Sequence, residues 1–85
     1  MTAAQALRDI RGFAAAGRVR FSQHAYHRMD ERGATERDVI KALANATRCE
    51  AANDGRWKAS GPDLDGDTLT AVVALESGVL VVTMF

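Results

Sequence analysis

The chain has 85 residues, 47% hydrophobic and 26% charged, a composition suited to one globular domain (1–85) near the small end of what folds alone. Eleven basic side chains balance eleven acidic ones, which disfavours a non-specific nucleic-acid binder that relies on a basic excess but leaves room for a local basic cleft. The single cysteine, Cys49, rules out an internal disulfide and a thiolate zinc cluster. No apolar run is long enough to span a bilayer, and the first residues lack a basic-then-apolar leader pattern. The expected setting is therefore cytoplasmic, with no membrane.

Thr2 to Ala16 reads as a helix, with Leu7, Ile10 and Ala14 repeating on one stripe and Gly17 stopping it. Arg18 to Phe21 is a short extended connector or edge strand. A second helix spans residues 22–33, with Ser22 as N-cap and Gly33 as a left-handed stop. Its wheel puts Ala25, Tyr26 and Met29 toward a core and Gln23, His27, Asp30 and Glu31 toward water. A third helix spans 35–46. Thr35 to Asp38 fits a capping box, and Val39, Ile40, Leu43 and Ala46 form its apolar arc.

The period then changes from 3.6 to 2. Strands are predicted over about 47–52, 56–60, 68–75 and 79–85, with Asn53-Asp54-Gly55 as a turn and Gly61 to Asp67 as a polar loop. Three helices followed by a meander describe an α+β domain, the helices packed on one face of an antiparallel sheet of about four strands. If Ser77-Gly78 is a two-residue hairpin loop, Glu76 faces Val79. Leu69, Ala71, Val73 and Leu75 then share the core face with Leu80, Val82 and Met84, and Val81, Thr83 and Phe85 lie on the other. Pairing Ser60 near Thr68 adds Trp57 and Ala59 to the core and puts Arg56 and Lys58 beside Thr70 and Thr83. The expected core includes Trp57, Met29, Leu43, Val73 and Val82.

His24, Arg28 and Arg32 form an i, i+4, i+8 row on the border of the second helix. One reading is a solvated basic edge. The other is a site in which His24 moves protons, since its unperturbed pKa lies near neutrality, and Arg28 grips an anion with its planar fork. His24 and His27, with Asp30 and Glu31 nearby, are too few and too poorly aligned for a metal site, so no metal or other cofactor is expected.

The order Phe21-Ser22-x-His24-Ala25-x-x-Arg28-Met29-x-x-Arg32-Gly33, followed by Asp38, Val39 and Ala42-Leu43, resembles the domain-of-unknown-function family 4258 from Arg20 to Phe85. Ala34 departs from the larger aliphatic residue usual in that family. The resemblance implies a toxin module with a RelE-like or barnase-like ribonuclease fold, associated with antitoxins of the MqsA type or placed at the tips of polymorphic toxins. The implied activity is endoribonuclease action without a metal. The implied partners are RNA and a cognate antitoxin or immunity protein; failing these, a homodimer through an exposed sheet edge is expected.

Such cleavage needs a base for the ribose 2′-hydroxyl, an acid for the leaving 5′-oxygen and cations for the charge on phosphorus. His24 suits proton transfer, and Arg28 and Lys58 suit the phosphate. Arg32 and Arg56 would position flanking phosphates, and Thr83 would donate a hydrogen bond. A non-catalytic interaction module, either an adaptor or an immunity-like subunit, is the alternative that zero net charge favours.

Overall fold

The computed structural model describes residues 1–85. The chain begins α1 (Ala3–Ala15), β1 (Val19–Phe21), α2 (Gln23–Arg32), α3 (Glu36–Ala44), and continues β2 (Arg48–Ala51), β3 (Trp57–Pro62), β4 (Thr68–Leu75), β5 (Val79–Met84). One sheet forms in the order β1-β5-β4-β3-β2. β1 pairs parallel to β5, and the other neighbours pair antiparallel. The expected antiparallel sheet of about four strands is therefore a mixed sheet of five. The added strand is the connector after α1. The Arg18 carbonyl accepts from Val79 N–H and Ser22 N–H donates to the Val81 carbonyl, which ties this segment to β5 as an edge.

Local chemistry fixes the helix ends. Thr2 and Gln5 satisfy each other's backbone N–H groups at the start of α1, and Thr35 and Asp38 do the same at α3. Gly33 closes α2 at φ 68°, a left-handed conformation that favours glycine.

Residues from all three helices join the inner sheet face in one core. Ile10 and Ala14 come from α1, Ala25 and Met29 from α2, and Val39, Ala42 and Leu43 from α3. Ala59, Leu69, Ala71, Val73, Val79, Val81 and Met84 supply the sheet side. Several of these are alanines, so the elements approach closely. The nearest approach is β3 against the end of α3. A Cβ at Gly61 would collide with the Ala42 carbonyl oxygen and sit 2.9 Å from Ala46 Cα. On the opposite face Lys58, Ser60, Thr70, Val72 and Thr83 alternate with the buried positions.

Four sequence expectations are corrected. Leu75, not Glu76, faces Val79, because Glu76, Ser77 and Gly78 make a three-residue loop with Ser77 at φ 55°. That one-residue slip turns Val79 and Val81 inward and leaves Leu80 and Val82 half-buried on the other face. An irregularity between Val72 and Val73 then leaves Val82 as an extra residue, and the expected pairing resumes at Val72–Thr83 and Ala71–Met84. The third correction is Tyr26, which is 46% exposed rather than core. Its ring leans on Phe21, with ring centroids 5.4 Å apart. Trp57 is half-buried against the core, on the face expected for it. Ser60 faces Thr70 rather than a residue near Thr68, a two-residue shift that preserves the faces.

Candidate functional site at the end of β5

β1 is only three residues long, so it covers only the first half of the outer edge of β5. α2 takes over beyond it. The Ser22 hydroxyl donates to the Val82 carbonyl at 2.7 Å while accepting from Ala25 N–H. Two turns on, Arg28 Nε donates to the Met84 carbonyl at 3.1 Å. Side chains of a helix thus complete hydrogen bonds that a neighbouring strand would otherwise supply. Arg28 Nη1 lies 3.4 Å from Glu31 Oε1, and Nη2 has no protein partner.

His24 stands one turn before Arg28 on the same flank of α2, exposed and without a hydrogen bond to the protein. On the outer face of the sheet, Glu50, Lys58, Val72 and Thr83 form a cross-strand row through β2, β3, β4 and β5. Lys58 makes no ion pair with Glu50 directly opposite. Its Nζ lies 5.4 Å from the centre of the Phe85 ring instead. Phe85 is anchored by its N–H to the Thr70 carbonyl. Two cations therefore flank Met84 and Phe85, Arg28 from the α2 edge and Lys58 from across the sheet. Such a pair can neutralise an anion lying over the end of β5.

The other expected site residues divide. Thr83 is in the Lys58 row, half-buried, with its hydroxyl unengaged. Arg32 is exposed at the end of α2, one turn past Arg28. Arg56 is not gathered, because it precedes β3 in the turn where its N–H donates to Asn53 and its carbonyl accepts from Ala52. His27 points outward as expected, with Nε2 3.9 Å from Glu31 Oε2. No group of three or more His, Cys, Asp or Glu side chains is placed to hold a metal ion. Burial, and then the Glu50 charge, push the Cys49 thiol above its usual value, so it stays protonated at neutral pH.

Sequence reasoning missed Phe85, Arg48 and the Ser60–Thr70 hydroxyl pair, whose oxygens are 2.8 Å apart. Alternation along β2 and β3 puts Arg48, Ser60 and Thr70 on the Lys58 face once the register is known. A groove of ≈ 590 Å³ lies there, between the first turns of α1 and the sheet.

Residues 21–85 match the family described as Domain of unknown function (DUF4258). The chain belongs to that family. The match begins at Phe21, so it takes in α2 and the strands of the candidate site and leaves α1 outside. No curated protein matches the chain.

Proposed function

We propose that this DUF4258 chain is a toxin-like, metal-independent endoribonuclease of a toxin–antitoxin or polymorphic-toxin system. In this reading its fold is related to the RelE-like and barnase-like ribonucleases, it acts in the cytoplasm, and a cognate antitoxin or immunity protein holds it in check. The supporting observation is that Arg28 and Lys58 flank the end of β5 while His24 stands unpaired one turn from Arg28.

The ribose 2′-oxygen attacks the adjacent phosphorus as the bond from phosphorus to the 5′-oxygen breaks. A base takes the 2′-proton, and the departing 5′-oxygen receives one, leaving a 2′,3′-cyclic phosphate and a 5′-hydroxyl. His24 fills one of those two proton-transfer roles and water the other. Lys58 and the free Nη2 of Arg28 stabilise the charge on the phosphoryl oxygens, and the Thr83 hydroxyl donates to one of them. Arg32 serves a flanking phosphate.

A second reading, a non-catalytic interaction module, draws support from the outer face of the sheet. Val72, Ala74, Leu80 and Val82 are half-buried there beside exposed Phe85, a surface suited to a protein partner or to a second copy. The deciding experiment expresses the chain alone in a bacterium and follows growth and RNA integrity, then repeats cleavage with purified protein in a chelator. The ribonuclease reading expects growth arrest, fragments ending in cyclic phosphate, loss of about 10² to 10⁴ in rate with His24→Ala, and little change with His27→Ala. Normal growth with intact RNA, or a fully active His24→Ala protein, overturns it.

A further inference from the structure

The groove over β2, β3 and β4 is separate from the end of β5 but shares Lys58 with it. Its polar lining comes from Thr47, Arg48, Glu50, Lys58, Ser60 and Thr70. Arg48, Ser60 and Thr70 are directly opposite one another across the three strands. Arg48 and Lys58 are diagonal neighbours on that face, with Cα atoms about 7–8 Å apart. Neither is in an ion pair: the protein's pairs are Arg8–Asp9, Arg20–Glu76, His27–Glu31 and Arg28–Glu31. Glu50 is also unpaired, so the groove carries two cations against one carboxylate.

A lining of two cations outside any ion pair and three hydroxyl side chains, walled by Ala3, Ala4 and Leu7 of α1, is suited to a phosphodiester backbone. The shared Lys58 makes the groove continuous with the Lys58–Phe85–Arg28 cluster. We propose that this groove is the track for the single-stranded RNA flanking the bond to be cleaved, with Arg48 as its outer phosphate contact. This rests on the ribonuclease reading above and extends it. The RNA crosses β2, β3 and β4 along the Arg48–Ser60–Thr70 row, with Lys58 alongside it, and leaves Thr70 toward Phe85. The phosphate to be cleaved then lies between Lys58 and Arg28. Glu50 opposes the strand and limits how tightly it is held.

The test measures binding of a short fluorescent single-stranded RNA by anisotropy, in chelator and across a range of salt, beside cleavage of the same RNA. Each phosphate contact to a single strand contributes about 0.7 to the slope of log affinity against log salt. Arg48→Ala should weaken binding and lower that slope by about 0.7, raising KM while leaving kcat nearly unchanged. Arg48→Lys should restore the slope. Glu50→Gln should tighten binding. Arg37→Ala, at an exposed position of α3, should change nothing. Binding that depends on Arg48 in a protein that never cleaves supports the track while refuting the ribonuclease reading. Cleavage with identical affinity and slope in wild type and Arg48→Ala overturns the track alone. Absence of both binding and cleavage overturns both. Tighter, Arg48-dependent binding of a polyglutamate peptide than of RNA of equal charge makes the groove a protein-docking site and also overturns the track.

Discussion

Replacing Gly61 with alanine adds one methyl group at the closest approach of β3 to α3. The obstacle is main chain: the Ala42 carbonyl oxygen overlaps the new Cβ, Ala46 Cα stands at 2.9 Å and Ala42 C at 3.1 Å. Side chains can rotate away from an intruder, but a helix carbonyl moves only if the helix moves. Ala42, Leu43 and Ala46 are buried in the shared core, so lifting α3 also opens its packing on the sheet. Overpacking costs about 1–3 kcal/mol, and a rigid obstacle puts this site at the upper end. The lower entropy of the unfolded alanine chain returns about 0.4–1 kcal/mol. A net loss of about 2 kcal/mol is a large part of the total for a domain whose stability scales as about 0.05–0.15 kcal/mol per residue. At about 4–8 °C per kcal/mol, the melting temperature should fall by roughly 8–16 °C. Circular dichroism melts and urea titration read by Trp57 fluorescence measure it. Gly12→Ala is the control: nothing lies within 4 Å of its Cβ, and alanine inside a helix gains about 0.5–1 kcal/mol over glycine. A Gly61→Ala protein that melts with the wild type would refute the close-approach argument.

Two further predictions concern Asp38 and Arg28. The Asp38 carboxylate accepts from Thr35 N–H, the Thr35 hydroxyl and Leu64 N–H, and the backbone bond to Thr35 is the largest cause of a pKa below the ordinary value. Because the folded pKa is depressed, the contribution is present above the unfolded pKa, near 3.9, and is lost as pH falls through the folded value. Asp38→Asn should therefore lower stability at neutral pH and flatten its decline below about pH 4; urea midpoints across that range test it, and parallel curves for the two proteins would contradict it. Arg28→Ala should cost about 1–2 kcal/mol by leaving the Met84 carbonyl without its charged donor, and Arg28→Lys should fail to recover cleavage because an ammonium lacks the second prong. An unchanged melting temperature in Arg28→Ala would remove its edge-closing role.

What was legible in the sequence follows from which signals are local. Ser22, Gly33, Thr35 and Asp38 mark helix ends through bonds within a few residues of themselves, and they appear where expected. The inner face of β4 was also legible, because alternation alone defines it. Pairing was not. The Glu76-Ser77-Gly78 loop differs from a two-residue turn by one residue, and one residue is enough to exchange Val81 for Val82. The pairing of β1 with β5 was equally hidden, since it joins segments about 60 residues apart with no local signature. The candidate site was legible in part. Helical spacing puts His24 and Arg28 together, whereas Lys58 beside Phe85 depends on three strands in register. Arg56 was misplaced because the strand begins one residue later than composition suggests.

β5 lies between β1 and β4, yet it is the last of these elements to be synthesised. The α2 edge bonds reach 56 and 60 residues along the chain, from Arg28 to Met84 and from Ser22 to Val82. Closing such contacts is slow, because loop entropy is lost before they form. A nascent chain that has not yet released β5 has no docking edge for α2 and no Phe85 beneath Lys58. The cluster therefore waits on β5: Arg28 gains its carbonyl partner and Lys58 its aromatic neighbour only once that strand has paired.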